Sequence, residues 1–323
     1  LLNDSIHLGG IKDRVLAVDG KPLRGARIDR IITLLRGEPG TKVRITIGRT
    51  GVDEPLSLEL VREVVRVSSV EGKLLQGGVY YLRLKQFQEA TSDELGVVLG
   101  KLRQQESRPG GILLDMRYNP GGLVDQAELV ADVFLESGLI YTTRHRGEIY
   151  DRVTATRGGE LESPAMVVLV NEYSASAAEL VAGALQDAKR ATVVGAPTFG
   201  KGSVQTIFEL PGGAGLRLTT MRYYTPLGQA IQAQGIVPDV LIVPDAPQEI
   251  VREADLEGHL GAEARTTTRP GQVVVKAPPP PKDAPIGPPR VADLPDNPEK
   301  GGDFALAEAY RRLLAKRPAA AKP

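Results

Sequence analysis

Two kinds of hydrophobic pattern alternate along the central part of the chain. Short unbroken runs of aliphatic residues, at 112–114 and 167–170, are typical of strands buried on both faces. Between such runs, at 95–102 and 180–185, apolar residues recur at helical spacing, which predicts amphipathic helices. Strands that alternate with helices predict a layered α/β core. We place this core at residues 63–245.

Different patterns flank the core on both sides. Residues 1–62 contain alternating strand patterns, a turn at Asp19-Gly20 and one amphipathic helix that ends at Gly37, which predicts a small, mostly β domain. Residues 246–323 are rich in proline and alanine, and their proline runs predict an extended tail without a core. Within this tail, apolar residues at helical spacing predict a short helix over 304–315.

The segment 167–205 concentrates the candidate chemistry. Its strand pattern gives way to a small, polar stretch that contains Ser174 and Ser176, and a helical pattern follows. Both serines are therefore predicted at a strand-to-helix turn. Backbone N–H groups at a helix start have no intrahelical partner and favour negative charge. A serine oxygen held there can attack a carbonyl while nearby amides stabilise the oxyanion.

A serine nucleophile needs a base, and the sequence favours a lysine. The three histidines are His7, His145 and His259; none lies in a catalytic context, and His145 is predicted in a solvated hairpin, so a Ser-His-Asp triad is poorly supported. Lys201 lies between two glycines. A free lysine has a pKa of about 10.4, and burial in an apolar pocket can lower it by about 3 to 5 pH units, enough to accept a serine proton. Because Gly202 follows Lys201, the full phosphate-binding loop pattern is missing and nucleotide binding is disfavoured.

Two motifs carry a family resemblance. The sequence NEYSASAAE at 171–179, followed by GKGSVQ at 200–205, resembles the carboxyl-terminal processing (tail-specific) serine proteases. The resemblance extends over about residues 9–245. It implies that Ser176, and not the neighbouring Ser174, is the nucleophile, and that the base is the lysine 25 positions further on, Lys201. It further implies that Gln205 orients this lysine.

The same resemblance implies roles for four more residues. The amides of Gly122, in an Asn-Pro-Gly-Gly turn, and of Ala177 would form the oxyanion hole. Glu179 lies one helical turn after Ser176 and either orients the site or caps the helix start; we favour a supporting role behind the nucleophile. Asp187 matches an aspartate considered for charge relay, and we favour a structural role near the helix end.

Asp115 and Arg117 precede the Asn-Pro-Gly-Gly turn. We expect them to tie strand ends together by ion pairs rather than to act on a substrate.

The resemblance also implies a fold and an activity. The core would be a layered ββα arrangement similar to crotonase and ClpP, and residues 1–62 would be an N-terminally truncated PDZ domain. The implied activity is that of a serine endopeptidase without cofactor or metal, which cleaves proteins with apolar C-terminal tails that the PDZ domain presents. An adaptor or self-association would regulate it, and the implied location is extracytoplasmic, in a bacterial periplasm, with the signal peptide outside this chain. The alternative is a non-catalytic peptide-binding protein, which the retention of both Ser176 and Lys201 disfavours.

The amino-acid composition disfavours some classes of function and excludes some kinds of site. Lys and Arg together number 40, as do Asp and Glu, so the net charge is zero and a nucleic-acid binder is disfavoured. Cysteine is absent, which excludes disulfides, thiol catalysis and cysteine-ligated zinc. No apolar run reaches about 18 residues, so the sequence predicts no transmembrane helix.

Overall fold

The computed structural model divides the chain into two compact units, Leu1–Val67 and Ser68–Pro323. The residues that the structure describes are 5–8, 11–49, 52–64, 68–156, 159, 161, 163–245, 250–263, 268–279, 287 and 290–316. The predicted domain boundaries at 62 and 245 stay predictions.

The first unit is an antiparallel sheet with one helix. Its elements in chain order are β1 (Ser5–Leu8), β2 (Ile11–Val18), β3 (Lys21–Pro22), α1 (Ile28–Leu35), β4 (Lys42–Arg49) and β5 (Leu56–Val61). The strand order is β1-β2-β4-β5, with β3 paired to β2. Asp19 and Gly20 both have positive φ, which allows the tight turn that joins β2 to β3. A small core forms around Val18, Leu23 and Val43.

The second unit contains two sheets and four α-helices within its described residues. Its strands are β6 (Val70–Leu75), β7 (Val79–Leu84), β8 (Gly111–Asp115), β9 (Leu139–His145), β10 (Glu148–Thr154), β11 (Met166–Val170), β12 (Thr192–Gly195), β13 (Ser203–Glu209), β14 (Gly215–Tyr224), β15 (Val240–Val243) and β16 (Val273–Lys276). Its helices are α2 (Thr91–Gln105), α3 (Val124–Phe134), α4 (Ala177–Asp187) and α5 (Phe304–Ala315). Among the described residues, no helix combines the length and apolar character that crossing a membrane requires.

The larger sheet has the strand order β16-β15-β12-β11-β8-β7-β6. All neighbouring pairs are parallel except β6 with β7, at the edge. Helices α2, α3 and α4 contribute to the core on one face, while α5 packs in the core on the other. The smaller sheet is antiparallel, in the order β10-β9-β14-β13. The second unit is therefore a mixed α/β structure, as the alternating patterns predict.

The C-terminal segment differs from the expected extended tail. β16 pairs with β15 in the larger sheet, and α5 forms where the sequence predicts a helix. The apolar face of α5 is buried against the sheet, with Tyr310 2 % and Leu313 0 % exposed. A sheet whose central strands are apolar on both faces needs a covering layer on each face, and α5 supplies the second. The proline run of 280–286 lies outside the described residues.

We expect replacement of Tyr310 by alanine to destabilise the second unit strongly. The ring is buried and its hydroxyl donates a hydrogen bond to the Gln76 carbonyl (2.7 Å), so Tyr310→Ala should lower the free energy of unfolding by about 3 to 5 kcal/mol. The neighbouring Arg311 side chain is 48 % exposed, and Arg311→Ala should change it by less than about 1 kcal/mol. Urea unfolding of both variants measures the difference, and equal midpoints would mean that α5 does not belong to the core.

Candidate active site

Ser176 lies in a strained turn between β11 and α4. Its backbone has φ 55° and ψ −119°, a conformation that side-chain-bearing residues adopt at a cost of about 1 to 3 kcal/mol. The following residue, Ala177, is the first of α4. Ser176 is half-buried, in contrast to the fully buried residues around it. The fold therefore presents this serine at the start of a helix, as the sequence pattern predicts.

The neighbouring Ser174 is committed to the structure of the turn. Its side chain is fully buried, and its hydroxyl donates a hydrogen bond to the Met116 carbonyl (2.9 Å). The same oxygen accepts a hydrogen bond from the Asn171 backbone N–H (2.9 Å). A hydroxyl held on both sides in this way is not free to attack a substrate. Of the two candidate serines, Ser176 is the one that the geometry leaves available.

A glycine turn after β8 packs directly against the serine. A Cβ atom placed on Gly121 would lie 2.8 Å from the Ser176 Cβ and 3.0 Å from the Ala177 nitrogen. Gly121 also has φ +96°, so only glycine combines this backbone conformation with so close an approach. Sequence reasoning did not single out Gly121, although the Asn-Pro-Gly-Gly motif that contains it was the available signal.

The two residues predicted for the oxyanion hole, Gly122 and Ala177, lie next to this contact or take part in it. Phe87 bridges to the glycine turn through a hydrogen bond to the Gly121 carbonyl (2.9 Å) and one from Leu123 (3.0 Å), and this bridge does not use the Gly122 N–H. The Ala177 N–H belongs to the first residue of α4, where no intrahelical acceptor exists. The Ala177 nitrogen lies close to Gly121, beside Ser176, and the role of the Gly122 and Ala177 amides as an oxyanion hole stays a prediction.

Glu179 connects the turn that contains Ser176 with the loop between β12 and β13 that contains Lys201, called the lysine loop below. One carboxylate oxygen accepts hydrogen bonds from the backbone N–H groups of Ser176 (2.7 Å) and Lys201 (2.9 Å). The other accepts from the Thr198 hydroxyl (2.6 Å) and the Gly200 N–H (2.7 Å). Glu179 therefore binds both the start of α4 and the loop that carries Lys201, and its supporting role behind Ser176 stays a prediction. Thr198 was not identified from the sequence.

The environment of Glu179 changes its acidity. The side chain is fully buried, and burial raises its pKa to about 7. The hydrogen bonds from Thr198 and from the three backbone amides favour the ionised form, but they offset burial only in part. The carboxyl group therefore changes its charge close to neutral pH.

Lys201 does not match the expectation of a buried amine. Its backbone is anchored beside Ser176 by Glu179, but its side chain is exposed in this structure. The flanking Gly200 and Gly202 are buried against residues 231–235, and this packing holds the loop backbone while Lys201 remains at the surface. Gln205 is exposed on β13, and among the contacts of the described residues none joins it to Lys201.

Two residues beyond the predicted core, Arg252 and Glu253, form hydrogen bonds with the lysine loop and with the segment packed against it. The Arg252 guanidinium donates hydrogen bonds to the carbonyls of Thr198 (2.6 Å) and Gln234 (2.6 Å). The Glu253 N–H donates to the Phe199 carbonyl (3.1 Å). No local sequence pattern marks Arg252 as part of the site, because its partners are more than 15 positions away along the chain.

Asp187 lies at the opposite end of α4 from Ser176. Eleven residues of helix separate the two by about 16 Å, which excludes a direct charge relay. Its carboxylate accepts hydrogen bonds from Arg269 (3.0 Å) and from the Leu227 N–H (3.0 Å). These contacts assign Asp187 the structural role, which ties the end of α4 to later segments.

The contacts given for His145 and His259 do not include Ser176. The imidazole Nδ1 atoms of His145 and His259 instead lie 2.9 and 2.8 Å from backbone carbonyl oxygens, those of Thr220 and Leu256. The described residues also contain no group of three or more histidine, aspartate or glutamate side chains that could hold a metal ion.

Comparison with known proteins identifies the family to which this chain belongs. The sequence profile described as "Peptidase family S41" matches residues 78–242. A carboxy-terminal-processing protease of Bartonella bacilliformis is 41 % identical over 257 residues, which cover 77 % of this chain and 59 % of that protein. A carboxyl-terminal-processing protease of Picosynechococcus sp. is 37 % identical over 239 residues, covering 73 % of this chain and 57 % of that protein. The chain thus spans a little under three fifths of the length of these curated relatives.

The structural comparison agrees with the sequence comparison. The solved photosystem II D1 C-terminal processing protease is similar, with a TM-score of 0.52 and 32 % sequence identity. The similarity covers 71 % of this chain and 62 % of that one.

The pKa of Glu179 predicts how stability depends on pH. Because its folded pKa is about 7 and its ordinary value 4.5, Glu179 contributes stability that is complete below about pH 4.5 and is lost as the pH rises through 7. The free energy of unfolding should therefore fall more between pH 5 and pH 8 in the unchanged chain than in Glu179→Gln, which cannot ionise. Urea unfolding at the two pH values measures both changes.

Glu94 provides the matched control for this comparison. Burial acts to raise the pKa of Glu94, but hydrogen bonds from Ser69, Ser68 and Val70 outweigh it, and the pKa lies below 4.5. Glu94 is therefore ionised in both folded and unfolded chains between pH 5 and pH 8, and Glu94→Gln should keep the pH dependence of the unchanged chain. A Glu179→Gln variant with that same dependence would contradict the assignment.

Proposed function

The chain belongs to peptidase family S41, and from that premise we propose that it is a serine endopeptidase that cleaves proteins near their C-terminal tails. One observation carries the proposal: a single carboxylate oxygen of Glu179 binds the backbone amides of both Ser176 and Lys201. The residues that the family motifs pair in sequence are thereby anchored side by side. The strained backbone of Ser176 supports the same conclusion, because such strain persists where the surrounding structure enforces it.

The first half-reaction forms an acyl-enzyme. The Ser176 Oγ attacks the carbonyl carbon of the substrate peptide, and its proton passes to the neutral amine of Lys201. The amides of Gly122 and Ala177 stabilise the oxyanion of the tetrahedral intermediate. When this intermediate collapses, the C–N bond breaks and the Lys201 ammonium returns the proton to the leaving amine.

The second half-reaction regenerates the serine. A water molecule attacks the acyl carbon and gives a proton to Lys201, and the same two amides stabilise the new oxyanion. The ester C–O bond then breaks, Ser176 recovers its proton from Lys201, and the product leaves with a new C-terminal carboxylate.

In this mechanism Lys201 can act as the base only when a substrate is bound. Lys201 is exposed in the structure, whereas the mechanism requires its amine to accept a proton from Ser176. A polypeptide that lies across the turn excludes water from the site, which favours the neutral amine. Gln205 orients that amine in the closed site, as the family resemblance implies. The chemistry is therefore coupled to substrate binding.

We assign presentation of the substrate to the first unit, as a PDZ-type domain. The antiparallel sheet and single helix of this unit support the assignment, because domains of this type add a peptide as a further strand and bind its terminal carboxylate. The resemblance further supports apolar C-terminal tails as substrates, regulation by an adaptor or by self-association, and an extracytoplasmic, periplasmic place of action. Fractionation of the source cells tests the last point.

Removal of either member of the Ser-Lys pair should abolish cleavage. Ser176→Ala deletes the nucleophile and Lys201→Ala the base, so each should lower the rate of hydrolysis of labelled casein by at least about a thousandfold. Lys101→Ala, an exposed lysine of α2, is the control and should keep the full rate. Equal cleavage by all three variants would remove the pair from the mechanism, and binding of casein without any cleavage would favour the non-catalytic alternative.

If the protein recognises the C-terminal carboxylate of its substrate, loss of that carboxylate should raise KM. We expect a peptide with an apolar tail and a free carboxylate to be cleaved with a KM about tenfold lower than the same peptide with a C-terminal amide, because a charge-assisted hydrogen bond is lost. Steady-state kinetics on the pair measures this, with a polar-tailed peptide that keeps its carboxylate as the control for the apolar requirement. Identical KM values for acid and amide would argue against carboxylate capture.

A further inference from the structure

The C-terminal helix α5 begins at a residue that also binds Arg117, which lies four positions before Gly121. Asp303 is the N-cap of α5, and its Oδ1 accepts a hydrogen bond from the Leu306 N–H (3.0 Å). The same carboxylate binds the Arg117 guanidinium in a bidentate pair, with distances of 2.9 and 2.8 Å. Both side chains are largely buried, 17 % exposed for Asp303 and 9 % for Arg117. Such two-pronged pairs fix the orientation of the guanidinium plane as well as its position.

Asp303 balances the charge of a buried network. Arg117 also binds Asp115, whose side chain is fully buried, and Arg83 lies 3.1 Å from that same carboxylate. Burial acts to raise the pKa of Asp115, but Arg117 and Arg83 lower it to about 2, so this aspartate stays ionised. Two arginines thus face two aspartates. Without the Asp303 carboxylate, one buried positive charge would lack a counterion, which is costly in the interior.

Arg117 is directly followed by the glycine turn that packs on Ser176. Its carbonyl accepts a hydrogen bond from Arg83 (2.7 Å), so both its backbone and its side chain are held. One residue later the Tyr118 N–H donates to the Asn171 side chain (2.8 Å), and the Asn119 carbonyl accepts from the Ala175 N–H (2.9 Å). The route from α5 to the turn beside Ser176 therefore runs through the pair of Asp303 and Arg117 and then along the backbone of residues 117–121, which hydrogen bonds hold at Arg117, Tyr118 and Asn119.

We propose that Asp303 is a positioning residue for the oxyanion site, which it holds in place through Arg117. The N-terminal end of α5, where Asp303 lies, then supports the site, while the buried face of the helix covers the sheet. The proposal rests on the proposed protease function for its consequence in catalysis, although its geometric part does not. A displaced Arg117 would shift the Gly121–Gly122 turn, and a misplacement of about 1 Å in such a site can cost about a hundredfold in rate.

Variants at Asp303 separate positioning from helix capping. Serine and asparagine are good N-cap residues, so Asp303→Ser and Asp303→Asn should both keep the start of α5. Serine is too short to replace the pair with Arg117, whereas asparagine keeps one acceptor oxygen. We expect Asp303→Ser to lower kcat on a labelled peptide by about 10- to 100-fold with KM changed by less than about threefold, and Asp303→Asn to recover part of that loss.

Leu313→Ala in the same helix is the matched control for stability. Leu313 is fully buried in the core and forms no ion pair with the network, so the variant should melt at a lower temperature yet keep kcat within about twofold while folded. The backbone amide chemical shifts of Gly121 and Gly122, recorded for each variant, should change in Asp303→Ser and stay unchanged in Leu313→Ala.

Two outcomes would overturn the proposal. One is a kcat for Asp303→Ser that equals that of Leu313→Ala, with unchanged Gly121 and Gly122 amide shifts. The other is an Asp303→Asn variant that folds and matches the deficit of the serine variant in every readout. If the unchanged chain cleaves no peptide, the proposed function fails, while the amide shifts still decide whether Asp303 positions the turn. Should Asp303→Ser not fold, Asp303→Asn against Leu313→Ala decides the question.

Discussion

The site depends on one buried carboxylate that four donors share. Three of these donors are backbone N–H groups, two of them on the lysine loop and one on Ser176. A buried N–H group without an acceptor costs free energy, so the loop needs the carboxylate of Glu179. The buried carboxylate in turn needs the hydrogen bonds that the loop donates. Its place in the first turn of α4 adds to this, because the positive end of the helix dipole favours the ionised form. One interaction therefore holds together a helix start and a loop that follow different strands.

The site is preorganised unevenly, and this fits chemistry that depends on a bound substrate. The serine turn and the glycine turn are rigid: their backbones pack within van der Waals contact, and Ser174, Asn119 and Asn171 hydrogen-bond them internally. The side chain of Lys201 is the exposed component, and its backbone is the part that Glu179 anchors. In the proposed mechanism, the serine turn and the glycine turn are thus in place before the substrate binds, and the Lys201 amine acts as the base once a polypeptide excludes water.

Two side chains from segments far from the site in sequence hold the lysine loop and the backbone next to the glycine turn. Arg252 binds the carbonyls of the lysine loop, and Asp303 binds the arginine that precedes the glycine turn. Both lie beyond the part that the family profile matches, residues 78–242. The predicted catalytic residues and these two supporting side chains thus belong to different parts of the chain.

The sequence by itself determined the local features. The runs at 112–114 and 167–170 form buried parallel strands, α4 starts directly after Ser176, and the two motifs identify the family that the comparisons confirm. Periodicity and turn chemistry act over a few residues, and a pattern within one window is enough to reveal them. The tertiary structure alone decided which serine hydroxyl is free, how closely Gly121 approaches Ser176, and that Lys201 stays exposed. It also decided that residues after 246 join the core, because the pair of Arg117 and Asp303 spans 186 positions and no local pattern records so distant a contact.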